Sequence, residues 1–158
     1  MNRLPSRAGS LLLLACLAGG GAMVWFGLQK VGDPVAFLKA IREYGLVPSA
    51  WPLAMNLLAV WIPAIEVLGG LLLILGVWRR AVASTLALML VLFSGAVVLR
   101  AIGLHQDLGG AFCDVQFDCG CGTGEVYICT KLIENSIMLL CCAYAAASKI
   151  VRPLSLGR

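Results

Sequence analysis

Four stretches of this chain, at about 9–28, 53–77, 81–102 and 132–151, are long, apolar and almost free of charge. About 20 apolar residues in helical form cross the hydrocarbon core of a bilayer. Lipid offers no partner to a backbone N–H or C=O, so a crossing segment must satisfy its own backbone as a helix, or belong to a closed barrel. Continuous apolar runs without two-residue alternation predict helices. Hydrophobic residues occupy 61% of the 158 positions and charged residues 13%, against roughly half and about a quarter in soluble domains. So little charge cannot cover a soluble surface. The expectation is an all-α polytopic membrane protein, a four-transmembrane-helix bundle forming a single domain over 1–158.

Arg3 and Arg7 ahead of a leucine run also fit a secretory leader, and Leu13-Leu14-Ala15-Cys16 approaches a lipoprotein cleavage box. The apolar run continues to Leu28, past the usual 7–15-residue leader core, so it is read as a retained helix. Gly19, Gly20 and Gly21 within it allow a neighbouring helix to come close or this one to bend. Arg79-Arg80 turns the second span back into the third.

Basic residues in short loops set orientation. With the N-terminus inside, Arg3, Arg7, Arg79, Arg80, Lys149, Arg152 and Arg158 face the cytoplasm, against Lys30, Lys39, Arg42, Arg100 and Lys131 outside. That bias predicts both termini cytoplasmic. The net charge of +4 belongs to this basic edge, and no basic–aromatic patch points to nucleic acid.

Two outer loops follow. In the first, Asp33 is a good N-cap, Pro34 suits the first helical position and Gly45 can end a helix. Val35, Leu38 and Ile41 recur every three residues, with Lys39, Arg42 and Glu43 elsewhere on the wheel. A short interfacial amphipathic helix is expected, serving as a connector or as a lid over the second loop. Trp51 and Trp61 fit interfacial anchors, as does Trp78 at the other end.

The second loop, 103–130, carries Cys113, Cys119, Cys121 and Cys129 as C-x5-C-x-C-x7-C, with six glycines and four acids. Outside the cytoplasm, such cysteines can persist as disulfides. A Cys119–Cys121 bridge would close a small ring around Gly120, which tolerates the backbone this needs. Strained bridges are oxidising and easily reduced, which suits exchange with a partner thiolate. Cys113 and Cys129 can then form a second bridge, either a structural clasp or a redox relay. Two stapling disulfides would also explain the four. A metal centre fits poorly, because zinc ligand pairs are usually spaced by two to four residues. Cys16, Cys141 and Cys142 fall within apolar spans and read as small packing residues. His105 lies in the cysteine loop and could assist a thiolate, although a lone loop histidine is ordinarily just solvated.

Glu66 lies ~18 Å from the nearer end of its span, near the midplane. A carboxyl group at that depth must face the bundle interior or water. Ser94, Cys142 and Tyr144 can reach its level. It reads as a proton site, as a hydrogen-bond partner for a membrane quinone, or as a neutral acid tying two helices together. Arg100 and Glu134 read as helix-end residues, snorkelling or in a surface ion pair. Asn56 and Asn135 can bond across helices near that rim. No motif calls for any other cofactor.

Several of these elements together resemble the MauE/DoxX-type membrane proteins. They are Lys30-x-x-Asp33-Pro34, Phe37-x-x-Ala40-Ile41-x-x-Tyr44-x-Leu46-x-Pro48, Pro63-x-x-Glu66-x-x-x-Gly70, the arginine pair, and Asp118-Cys119-Gly120-Cys121 ahead of the last helix. The likeness covers about 20–150. It departs at Gly122-Thr123-Gly124, where the family often has an aromatic residue, and in carrying Cys113 and Cys129. The resemblance implies a redox-associated four-helix protein that serves maturation of a disulfide-rich periplasmic dehydrogenase subunit beside a thioredoxin-like partner. It also implies Cys119 and Cys121 as the working pair and Glu66 as a recurrent feature. Two roles follow from sequence. One is a thiol–disulfide redox partner of a periplasmic thioredoxin-like or disulfide-rich client. The other is a non-catalytic anchoring subunit of a larger membrane redox complex, with structural disulfides.

Overall fold

A computed structural model describes residues 7–120 and 124–149. Four long helices, α1 (Arg7–Gly32), α3 (Pro52–Leu75), α4 (Arg79–Leu108) and α5 (Ile128–Ala147), are each long and apolar enough to cross a membrane. A shorter helix, α2 (Pro34–Glu43), follows α1. Between α4 and α5 lie a 3-10 turn at Phe112–Asp114 and two short antiparallel strands, β1 (Gln116–Asp118) and β2 (Glu125–Tyr127). The chain is an all-α polytopic membrane protein with one small hairpin. Leu11, Leu14, Trp25, Leu68, Leu92 and Leu140 are exposed on the outer faces of the helices, as a lipid-facing surface requires. Leu12, Met23, Leu73, Leu86, Leu90 and Met138 fill the interior, and Cys16 and Cys142 are packed among them.

The two most extensive helix contacts pair the first span with the second and the third with the fourth. α1 lies most extensively along α3, and α4 along α5, while the consecutive α3 and α4 touch less. The α1–α3 contact depends on glycine. A Cβ on Gly20 would sit 2.7 Å from the Gly70 carbonyl oxygen, and one on Gly70 would sit 2.6 Å from that of Gly20. Seven residues further along α1, a Cβ on Gly27 would be 2.7 Å from Val67 Cγ2 and 3.0 Å from Glu66 Cβ. Small residues let helix backbones meet closely in lipid, where dispersion replaces the hydrophobic effect as the source of association. Gly19 instead packs against Cys141 and Cys142, and Gly21 faces open space.

The arginine pair does more than set charge. Arg79 Nη1 and Nη2 donate to the carbonyl oxygens of Ala145 (2.9 Å) and Ser148 (2.8 Å), and Arg80 Nε donates to that of Ala146 (3.2 Å). These are acceptors that the last turn of a helix leaves without an intrahelical donor, and cations at that end also oppose the helix dipole. The start of α4 therefore holds the end of α5.

Three boundaries differ from the expected spans. α1 runs on to Gly32, because Lys30 is buried in the bundle and not solvated in a loop. α4 continues to Leu108, where Gly109 (φ +69°) and Gly110 (φ +89°) end it. α5 begins at Ile128, delivered there directly by β2. The cysteine loop is correspondingly shorter than 103–130. Gly70→Val should lower the thermal midpoint of the purified protein, since forcing volume into a packed contact costs about 1–3 kcal/mol. Gly21→Val, with nothing nearby to displace, should leave that midpoint unchanged, and circular dichroism melts in detergent would compare the two.

Candidate functional site

The cysteine motif follows a β-hairpin strand. β1 and β2 pair Gln116 with Tyr127, Phe117 with Val126 and Asp118 with Glu125, so Cys119 and Gly120 lie where the chain leaves the last rung. Alternation along β1 turns Phe117 inward and leaves Gln116 and Asp118 exposed. Phe117, Val115, Cys119 and Ile128 join Val97 and Ala101 of α4 in a second apolar cluster. That cluster seats the hairpin on the bundle end.

One disulfide joins Cys113, in the 3-10 turn, to Cys129, in the first turn of α5, with the two Cα atoms 5.1 Å apart. It closes a loop of 16 residues, for which loss of unfolded-chain entropy is worth about 3 kcal/mol. Cys119 is also disulfide-bonded and is completely buried. Cys121 lies outside the described residues, and so does the expected Cys119–Cys121 pairing.

Gly120 has φ +70°, and a Cβ there would come within 2.8 Å of Ala40 Cβ and 3.2 Å of Phe37 Cδ2. Its N–H donates to Asp118 Oδ1 at 2.8 Å. The Tyr44 hydroxyl donates to the carbonyl oxygen of Cys119 at 3.2 Å, while its ring meets Phe117 edge-on, with centroids 6.2 Å apart. Burial, reinforced by the nearby Asp118 charge, raises the Tyr44 phenol above its ordinary pKa, so it stays a donor at neutral pH. α2 is thus the floor on which the cysteine segment rests. Its start is held by the Ala36 N–H donating to Asp33 Oδ1 at 2.9 Å, with Pro34 in the first turn.

Beneath the cysteine segment, a recess of about 470 Å³ is walled by Gln29, Lys30, Asp33, Phe37, Asp118 and Gly120. Lys30 also belongs to a buried polar cluster with Glu66, Lys131 and Asn135. Lys30 Nζ and Glu66 Oε1 form a buried salt bridge. Lys30 lies 5.3 Å from the Phe37 ring centroid and 5.4 Å from that of Phe93, and Lys131 Nζ lies 4.1 Å from that of Phe26. Cations over aromatic faces are stabilised by the ring quadrupole, more strongly when desolvated. Lys131 also pairs with Glu134 at 3.1 Å, and Asn135 donates to Ser94 Oγ at 3.2 Å. Glu66 Oε2 and Asn135 Oδ1 have no hydrogen-bond partner among the described residues, and both residues line a void of about 20 Å³.

Glu66 therefore meets Lys30, while Ser94 is taken by Asn135, Cys142 lies in the apolar core and Tyr144 is partly exposed. His105 ends up in the last turn of α4, edge-on to Phe112 at 5.8 Å. Sequence reasoning gave Lys30, Lys131 and Tyr44 no part in the site, although Lys30 and Tyr44 stand in the motifs that carry the family resemblance. Both lysines sit near span ends, where snorkelling to the interface is the default. The signal that pointed to them was Glu66 itself, since an acid at that depth calls for a partner.

The family model for methylamine utilisation protein MauE matches residues 8–148. The chain belongs to the MauE family. The match takes in all four membrane helices, α2 and the cysteine hairpin, so the whole site lies inside it. No curated protein and no solved structure matches the chain. Membership identifies a multi-pass membrane protein of a family connected with methylamine utilisation.

Within this MauE-family chain, Lys30→Met or Glu66→Leu alone should destabilise by about 3–5 kcal/mol, because each strands a buried charge. The double variant should lose clearly less than the sum, and unfolding midpoints of the three proteins would measure the coupling. Gly120→Ala should unseat the cysteine segment from α2, read out as faster modification of Cys119 by a thiol reagent after mild reduction.

Proposed function

We propose that this protein is a membrane thiol–disulfide exchange partner, working through Cys119 and Cys121, for a thioredoxin-like or disulfide-rich client outside the cytoplasm. In this reading both termini are cytoplasmic, the membrane is the bacterial inner membrane, and the cysteine hairpin faces the periplasm. Its support is the separation of two sulfur sites. The Cys113–Cys129 bridge already clasps the hairpin to α5, which frees the disulfide at Cys119 from structural duty. That second disulfide adjoins a left-handed glycine held against α2.

Burial of Cys119 supports giving the two sulfurs different parts. A client thiolate attacks Cys121, forming an intermolecular S–S bond, and Cys119 departs as a thiolate and takes up a proton. The client's second thiolate then attacks that mixed disulfide and releases Cys121. The client leaves with a new disulfide, and the protein is left as a dithiol holding the two electrons. The chain runs backwards equally well if the client is the more oxidising partner.

The rival is a non-catalytic anchor of a larger membrane complex, and the burial of Cys119 is the observation that favours it. A Cys119→Ser variant separates the two. Mixed with the client in its disulfide form, the Cys121 thiolate of this variant should attack that bond and release one client thiol. With no Cys119 thiol to resolve it, the mixed disulfide should accumulate, visible as a higher-mass band that disappears on reduction. If the Cys119→Ser, Cys121→Ser double variant supports client oxidation as well as the parent does, the anchor reading stands instead. Cys113→Ser with Cys129→Ser should lower stability by about 3 kcal/mol while the mixed disulfide still forms.

A further inference from the structure

The exchange reading leaves two electrons on the Cys119–Cys121 dithiol at each turnover, and these must go somewhere. Cys16, Cys141 and Cys142 lie towards the Arg79 end of the bundle, in the first half of α1 and the last turns of α5. The hairpin sits at the opposite end.

A chamber lies beside Cys119, on the side away from the polar recess. It is formed between α2, α3 and α4, with Phe37, Tyr44, Ile62, Phe93 and Cys119 in its wall and a volume of about 130 Å³. That is close to the ~150 Å³ apolar cavity known to hold a benzene molecule, so one six-membered ring fits. Its rim includes Leu46 and Leu58, which are 53% and 37% exposed. Leu58 is in the second turn of α3, a membrane-spanning helix. The rim therefore reaches the level at which lipid surrounds the bundle, an entry suited to a ligand dissolved in the membrane. The wall combines flat aromatic faces, a phenol that remains protonated and a cysteine engaged in a disulfide. By contrast, the void beside Glu66 is about 20 Å³, too small for a ring. Glu66 is thus not the group that would hold one.

We propose that this chamber receives the ring of a membrane quinone, and that the Cys119–Cys121 dithiol reduces it. The inference rests on the exchange reading above and adds its terminal acceptor. The two thiols give up two electrons and two protons and form one S–S bond, and the quinone takes both to become a hydroquinone. The Tyr44 hydroxyl, which donates to the Cys119 carbonyl in the structure, is the group in the wall that can turn its one O–H to a ring oxygen. Electrons then flow from client to membrane, with the client on the polar side of the cysteine segment and the quinone on the apolar side.

The test uses the full-length protein, reduced and freed of reductant, in nanodiscs of quinone-free lipid, mixed anaerobically with a short-chain benzoquinone. Loss of quinone absorbance and loss of free thiols are followed together, and glutathione disulfide serves as a soluble oxidant in a parallel arm. One hydroquinone is expected per disulfide regained. Ala96→Phe and Ile62→Trp, which fill the chamber, should each slow quinone reduction by about ten-fold or more, with the glutathione arm unchanged. Two substitutions on different helices guard against one failing to fold. If glutathione disulfide restores the bridge and quinone does not, the chamber inference falls and exchange survives. Equal quinone reduction by the parent and both filled variants would likewise overturn it. If neither oxidant restores a bridge, the exchange reading fails, and the quinone site with it.

Discussion

A lysine near one end of α1 and a glutamate well inside α3 meet in the bundle interior, and much of the remaining architecture follows from that salt bridge. Neither charge can be left alone there, since an isolated ion in a low-dielectric interior is disfavoured by several kcal/mol. Their meeting fixes the register of α1 on α3, because the two side chains reach each other in only one sliding position. The helix backbones must then lie close, and Gly27 supplies the space directly against Glu66. Gly20 and Gly70 extend the same close approach along the interface. Lys30 cannot remain in a loop under this constraint, so α1 carries its helical turn on to Gly32. α2 then starts immediately, capped by Asp33, and its position is set by a charge pair located deeper in the bundle.

The cysteine segment inherits its place from that chain of constraints. α2 presents Phe37 and Ala40 to Gly120 and Tyr44 to the Cys119 carbonyl. The hairpin arrives from the other side, held by the Cys113–Cys129 bond and by the packing of Phe117 and Val115 on α4. Two independent supports, one from each direction, hold Cys119 in a fixed position between a polar recess and an apolar chamber. In the exchange reading proposed above, such fixed placement is what would let a small loop perform selective chemistry.

The four spans were legible because apolar length is a strong signal that lipid enforces strictly. The N-cap at Asp33 and the arginine turn were legible too, since capping and turn chemistry are local. Their tertiary uses were not. Arg79 and Arg80 read as topology charges, yet they hold carbonyl oxygens at the far end of the chain. Lys30 and Lys131 read as loop charges, because nothing local distinguishes a lysine that turns inward from one that snorkels outward. The hairpin was invisible for a different reason. Three residues per strand are too few for alternation to show, and the pairing depends on a loop closed by a covalent bond. Cys113 and Cys129 were readable as a possible bridge, but which elements they join depends on α5 starting four residues earlier than its apolar run suggests.

The grip of Arg79 on the end of α5 has a mechanical consequence. A bundle laced by charged hydrogen bonds at one end and seamed by touching glycines along another flank has few ways to deform. α3 and α4, joined by a tight reversal but otherwise in lighter contact, form the looser seam, and the apolar chamber opens along it. Along that seam the helices leave room at both ends, about 280 Å³ lined by Trp78, Ala81 and Val82 and about 130 Å³ beside Cys119, so a change in one gap passes to the other through α3 and α4 alone.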